Sequence, residues 1–268
     1  MIKLVASDID GTLKPEYQKP ISDNIYRLLS ELADQGVRFC AASGRQIPSL
    51  KGMFYDRLGP VDLICENGAL VYADGKLIHK SLIPDEIARE IISVCEERQK
   101  GYVLISGVET SYVSPYRKDF ADFMKNVIGN QVTVLNHVYE KREDYFKISI
   151  YDPDRFEESH LEDFWKRRFG GVVSVAPGGF GWVDMMPFGT NKGTAIRHLM
   201  DYRGIKVSET MAFGDNFNDL EMLLSVGQSY AMASAPWEIR KQTTGTCTDV
   251  GEILEELLNK RKECGHHE

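Results

Sequence analysis

The stretch LVASDIDGTLKP, Leu4–Pro15, decides how the rest of the chain is read. Four apolar or small residues run without a polar break toward Asp8 and Asp10, with Gly11 and Thr12 directly behind. An unbroken apolar run of this kind is the pattern of a short strand buried on both faces, as at the centre of a parallel sheet. A carboxylate delivered to the end of such a strand loses hydration, and a second one beside it adds repulsion. A hard cation such as Mg²⁺ between them would relieve both costs. A lone D-x-D is also what an acidic turn or a helix cap looks like, and by itself it favours that plainer reading.

Working outward, PISDNIYRLLSELADQGVRF (20–39) places Ser22 as a cap before Ile25, Leu28, Leu29 and Leu32, which fall at helical spacing, with Gly36 at the stop. VRFCAASGR (37–45) is a second apolar strand, ending at Ser43 and Gly44, and VDLICENGA (61–69) is a third, ending at Glu66, Asn67 and Gly68. Strand, helix and strand in alternation predict a doubly wound α/β fold, in which ligands gather beyond the carboxyl ends of the strands. ALVYADGKLIHK (69–80) then reads as a hairpin turning at Asp74-Gly75.

From Pro84 to Asp184 the style changes to paired strands set against helices, around 84–99, 117–127 and 155–168, which predicts an α+β block with an antiparallel sheet. The parallel style resumes with helix 192–204, strand TMAFGD, helix 217–225, strand SYAMA and a final helix over 250–262. The expected organisation is a discontinuous core, 1–83 and 185–268, interrupted by an inserted α+β domain over 84–184.

The 268 residues are 43% hydrophobic and 27% charged, ordinary for a globular protein, and the net charge of −8 argues against a nucleic-acid or anionic-membrane partner. No apolar run approaches the roughly 20 residues needed to span a bilayer. Five cysteines (Cys40, Cys65, Cys95, Cys247 and Cys264) form no C-x-x-C pair, and the amino terminus turns acidic at once, so a cytoplasmic protein is expected. The ending CGHHE reads as a chain terminus in preference to a metal site.

Three further clusters change the odds for Asp8 and Asp10. FGDNFNDLEML (213–223) sets Asp215 at another strand end, with Asn218 and Asp219 behind it; a helix cap with a first-turn acid explains that pattern equally well. ASGR (42–45) offers the Ser43 hydroxyl and bare N–H groups to an anion. TNKGTA (190–195) places Lys192 where a helix begins, against the helix dipole, which an anion there would explain; alone, a solvated lysine is the plainer reading. Together the four clusters supply a metal site, a phosphoryl cradle and a carboxylate nucleophile.

DIDGT, SGR, KG and GDNFND, in this order and spacing, resemble the four motifs of the haloacid dehalogenase superfamily, and ENGA followed by the large insertion is similar to its Cof-type sugar phosphatases (subfamily IIB). The resemblance spans essentially the whole chain. It implies a Rossmann-like core with an α/β cap, and a Mg²⁺-dependent phosphatase acting on a small phosphorylated metabolite, such as a sugar phosphate, through an aspartyl-phosphate. It further implies Asp8 as nucleophile and metal ligand, and Asp10 as general acid–base with its backbone carbonyl on the metal. Asp215 and Asp219 would complete the metal site. Ser43, Gly44, Lys192 and Asn218 would hold the phosphoryl group, and Arg45 would lie on the substrate side. Trp182, in PGGFGWVD (177–184) with Phe180, is a candidate for stacking on a sugar face. Two departures are Ser234, where the subfamily usually has Asn, and TDVGEI (248–253), where Asp-Gly-Val is common. A phosphomannomutase-type phosphotransferase is the alternative, with Arg117, Lys118, Lys141, Arg142, Arg167 and Arg168 available for a second phosphate; a non-catalytic phospho-ligand module is a third reading. The oligomeric state, monomer or dimer, is left open.

Overall fold

The protein is described from a computed structural model, covering residues 1–16, 19–98, 101–108, 110–113, 118–128, 131–135, 144–152, 162–179 and 181–265. It divides into two compact units, one of Met1–Gly44, Leu50–His79 and Asn191–Glu268, the other of Arg45–Ser49 and Lys80–Thr190. The division falls after residues 79 and 190, where the sequence suggested 83 and 184, and the short Arg45–Ser49 segment goes with the second unit.

In the first unit, β1 (Leu4–Ser7) is buried along its whole length. It lies between β2 (Arg38–Ala42) and β12 (Thr210–Gly214), parallel to both. With β3 (Asp62–Cys65), β4 (Leu70–Ala73), β5 (Lys76–Lys80), β13 (Gln228–Met232) and β14 (Gly245–Cys247) it forms a sheet ordered β14-β13-β12-β1-β2-β3-β4-β5. The chain grows from β1 to one side through β2 and β3, and to the other through β12 and β13. The β1/β12 boundary is therefore the switch point at which open α/β sheets bind ligands. Register does the rest: Ser7 pairs with Phe213 on one side and Ala41 on the other. Asp8, Asp215 and Ser43 thus emerge beyond the same sheet edge.

Helix α1 (Asp23–Asp34) begins as expected, the Ser22 hydroxyl accepting from the Ile25 N–H, and it buries Ile25, Leu28, Leu29 and Leu32. Helices α6 (Lys192–Arg203) and α7 (Leu220–Leu223) press Ala195, Ile196, Leu199, Met200, Met222 and Leu223 against a sheet face of small residues, among them Ala6, Cys40, Ala42, Ala212 and Ala231. Small side chains let the helices approach the sheet closely, and the amino terminus of α6 comes near the end of β1. The sequence reading did not assign α2 (Ile47–Leu58), α8 (Trp237–Arg240) or β14. Pro48 and Gly52 obscure the helical signal of α2, although Ile47, Leu50 and Phe54 are buried on one face.

In the second unit, six strands run in the order β10-β11-β9-β6-β7-β8: Val173–Gly179, Trp182–Pro187, Lys147–Tyr151, Tyr102–Ser106, Ser111–Val113 and Val132–Val134. Pairing is antiparallel except between β7 and β8, which are parallel, a departure from the all-antiparallel expectation. Helices α3 (Asp85–Arg98) and α5 (Asp163–Phe169) cover one core, where Ile91, Ile92, Trp165 and Phe169 meet Ile148, Ile150 and Val183. Phe120 and Ala121 of α4 (Lys118–Phe123), with Met124, pack on Leu104 and Val113 in another. Among the described residues no helix is long and apolar enough to cross a membrane.

Arg203, at the end of α6, pins the opposite pole of the first unit. Its guanidinium bonds both oxygens of buried Asp62 and reaches Asp74 at 2.9 Å in the β4–β5 turn. Burial raises the Asp62 carboxyl above its ordinary value, and Arg203 pulls only partly against this. The pair is thus worth less than its geometry suggests, yet removing one partner strands the other. Arg203→Ala should lower the urea unfolding free energy by about 3 kcal/mol, whereas Arg203→Met combined with Asp62→Leu should cost much less.

Candidate functional site

Asp8 leaves β1 with its N–H donating to the Phe213 carbonyl (3.0 Å), which continues the β1–β12 ladder by one residue and fixes where the carboxylate points. The chain then turns: Leu13 N–H donates to the Asp8 carbonyl, and Lys14 N–H to that of Ile9. Gly11 makes the turn possible. Its φ is +91°, and a Cβ there would lie 2.4 Å from Asp215 Oδ2. The Thr12 hydroxyl donates to Asp215 Oδ1 at 2.9 Å, tying the turn to the end of β12.

Lys192 is the first residue of α6. Asn191 caps the helix, its side chain accepting from Thr194 N–H at 2.8 Å. The lysine is 0% exposed, so the reading of a solvated surface cation does not hold. Its ammonium donates to Asp8 Oδ1 at 2.5 Å and to Asp219 Oδ1 at 2.6 Å. Gly193 beside it lies against the Glu221 backbone, where a Cβ would meet the carbonyl oxygen at 2.5 Å. This close packing against the residues after β12 brings α6 to the carboxylates.

Asp219 does two things, one of which, the pairing with Lys192, its sequence did not indicate. Oδ2 accepts the N–H groups of Asp215 and Asn216, both at 3.0 Å, as a capping side chain does, while Oδ1 takes the Lys192 ammonium. Asp8, Asp215 and Asp219 each present an oxygen within 4.8 Å of the others. The Asp10 carboxylate is not in that group; Asp10 stands half-buried in the turn beyond Asp8.

The charge balance shows in the acidities. Burial, then Asp219, pushes the Asp8 carboxyl well up, and Lys192 pulls it back in part. Burial and Asp219 raise Asp215 too, against the Thr12 hydroxyl and Lys192. Burial works against the Lys192 charge, but Asp219 and Asp8 overcome it and hold the ammonium above its ordinary value. One cation among three carboxylates leaves an excess of negative charge. Hard oxygen donors at this separation suit a divalent cation of the Mg²⁺ type.

Ser43, buried, and Gly44 follow β2 at the same edge. The Asn218 amide donates to Asn67 Oδ1 at 3.2 Å, and Asn67 N–H donates to the Ser43 carbonyl at 3.0 Å. The sequence reading treated Asn67 only as part of a motif and gave it no role. A non-glycine residue required at positive φ has no signature in a single sequence beyond the preference of Asn for it.

Arg45 belongs to the second unit, 3.3 Å from the Ser49 hydroxyl. Trp182 stacks on Tyr151 at 4.7 Å within a group that includes Tyr102, Phe120 and Phe123, so its ring is engaged in packing there. Arg167 and Arg168 are exposed on α5; Arg117, Lys141, Arg142, Phe180, His266 and His267, with the side chain of Lys118, lie outside the described residues.

Residues 5–252 match the family of haloacid dehalogenase-like hydrolases. The chain is similar to 5-amino-6-(5-phospho-D-ribitylamino)uracil phosphatase YbjI of Escherichia coli, 27% identical over 87% of this chain and 86% of that one. It is similar also to the Bacillus subtilis phosphatase YitU, which carries the same activity name, 27% identical over 92% and 94%. Its fold matches that of a HAD/COF-like hydrolase from Plasmodium vivax with a TM-score of 0.86, at 20% identity and 96% coverage of both chains.

With Lys192 removed, Asp8 and Asp219 would face each other unscreened, and the Asp8 carboxyl would rise further. A folded-state value above the unfolded one makes stability fall as pH rises through it. In the presence of EDTA, Lys192→Met should therefore lose about 3 kcal/mol at about pH 8 and distinctly less near about pH 5.5, read by urea unfolding at both.

Proposed function

The chain belongs to the haloacid dehalogenase-like hydrolases, and from that premise we propose that it is a Mg²⁺-dependent phosphatase that removes the phosphoryl group of a small metabolite through an aspartyl-phosphate on Asp8. The observation that carries the proposal is the buried Asp8 carboxylate at the sheet's switch point, 2.5 Å from the Lys192 ammonium and grouped with Asp215 and Asp219. A carboxylate desolvated by burial and oriented by one fixed cation is placed to act as a nucleophile.

In the proposed reaction an Asp8 oxygen attacks phosphorus and the bond to the substrate oxygen breaks. The Asp10 carboxyl gives its proton to that departing oxygen. Water then attacks the phosphorus of the acyl phosphate, its proton passes to the Asp10 carboxylate, and the Asp8–phosphorus bond breaks to release orthophosphate. Lys192, the Ser43 hydroxyl, the Gly44 N–H and the Asn218 amide hold the equatorial oxygens. Asp8 and Asp215, with the Asp10 carbonyl, would hold Mg²⁺, which when bound neutralises the charge that three carboxylates and a phosphate bring together. Asp219 already accepts three hydrogen bonds, which suits it to hold Lys192 and the 215–216 backbone in place.

As to substrate, YbjI and YitU carry names that specify a phosphorylated ribityl compound. A phosphorylated sugar or sugar alcohol is accordingly the proposed class, and Arg45 is the proposed substrate-side residue.

Purified protein should release phosphate from p-nitrophenyl phosphate with Mg²⁺ and lose that activity in EDTA. Asp8→Asn should reduce kcat by at least about a thousandfold while the circular dichroism and melting temperature stay near wild type. Undiminished hydrolysis by Asp8→Asn would sink the mechanism.

A further inference from the structure

The turn that follows β3 has no place in the chemistry above, yet its backbone is tightly constrained. Three consecutive residues, Glu66, Asn67 and Gly68, have φ of 50°, 55° and 108°. Glycine adopts this region freely and Asn tolerates it, but a glutamate there is uncommon. Glu66 is 1% exposed and Asn67 7%. Backbone of this kind persists only where its surroundings over-determine it, and such positions gather at functional sites.

The surroundings here are three segments of the candidate site. Asn67 N–H donates to the Ser43 carbonyl at 3.0 Å. Its side chain accepts from the Asn218 amide at 3.2 Å and sits so close to Gly44 that a Cβ there would lie 3.0 Å from Asn67 Oδ1. Gly68 lies against Asn191, whose carbonyl oxygen would be 2.4 Å from a Cβ at position 68, and Asn191 caps the helix that starts with Lys192. One turn thus touches the chain at Ser43–Gly44, at Asn218 and next to Lys192, although these arrive from three different strand–helix connections.

We infer that Asn67 is a positioning residue for phosphoryl transfer: its left-handed backbone and side-chain amide fix the distance between the Ser43–Gly44 loop and Asn218, so that both meet the same phosphoryl group. The inference rests on the phosphatase reading given above. The left-handed backbone aims the N–H at Ser43 and the side chain at Asn218 simultaneously; an extended residue would direct one of them away. Alanine at 67 removes the bond to Asn218 and disfavours the backbone conformation. Glycine removes only the bond, since it takes positive φ without cost.

The test compares wild type, Asn67→Ala, Asn67→Gly, Asn218→Ala and Asn67→Gly/Asn218→Ala with p-nitrophenyl phosphate and Mg²⁺, measuring kcat/KM, the inhibition constant of inorganic phosphate and the melting temperature. Asn67→Gly should lose roughly ten- to a hundredfold in kcat/KM and weaken inhibition by phosphate, with its melting temperature near wild type. The double variant should cost no more than the larger single loss, because the two side chains act as a unit. A purely structural role would move the melting temperature and leave phosphate inhibition alone. Wild-type kcat/KM in Asn67→Gly, or losses that multiply in the double variant, overturn the inference while leaving the phosphatase reading intact. A wild-type protein that releases no phosphate overturns that reading and the inference with it. Should Asn67→Ala not fold, Asn67→Gly still decides.

Discussion

Lys192 keeps its charge with none of its surface in water, and it does so between two carboxylates, Asp8 and Asp219, the first 184 residues away in sequence. The rest of the first unit can be understood from that arrangement. A buried ammonium is tolerated only with close, well-directed acceptors, and buried carboxylates only with a cation. Each of the three groups therefore fixes the others. The strand that carries Asp8, the helix that carries Lys192 and the loop that carries Asp219 must meet with little freedom. Small residues on the sheet face beneath α6, and glycine at 11, 193 and 214, allow the approach; at 214 a Cβ would strike that of Asp219 at 2.6 Å.

The sheet makes the meeting possible because its central strands are parallel. Parallel pairing sends successive connections out at the same edge, and the reversal of strand order beside β1 opens a crevice there. Asp8 and Asp215 sit on the two sides of that reversal, one residue beyond paired or adjacent ladder positions. Thr12 crosses it from the turn after Asp8 to Asp215. The negative charge left over after Lys192 is counted is of the kind that a divalent cation would offset.

Much of this was legible in the sequence because burial on both faces leaves a plain mark. LVAS, FCAA, LIC and MAFG are runs of apolar and small residues followed at once by Asp, Ser or Glu, and a run of that kind announces both a buried strand and the residue placed at its end. Ser22 announced α1 through a local hydrogen bond that needs no distant partner. What was not legible depends on long-range geometry. Lys192 alone looks like a surface lysine, since nothing local says that Asp8 will lie 2.5 Å from it. The two-sided use of Asp219 follows from the meeting of a cap and an ion pair. Helix α2 was hidden by Pro48 and Gly52, and the parallel β7–β8 pair by strands of three residues each, too short to carry a directional signal. Asn67 escaped because a left-handed turn residue shows its purpose only once its three neighbours are in place.

The central claim is that Asp8 becomes covalently phosphorylated. Its most direct test is to mix the enzyme with a phosphate ester and Mg²⁺, quench in acid during turnover, digest, and map the phosphoryl group by mass spectrometry. The account predicts an acid-stable, hydroxylamine-labile phosphoryl group on the peptide that contains Asp8, present only with substrate. Turnover with no phosphoryl group on Asp8, or with one on another residue, would contradict it.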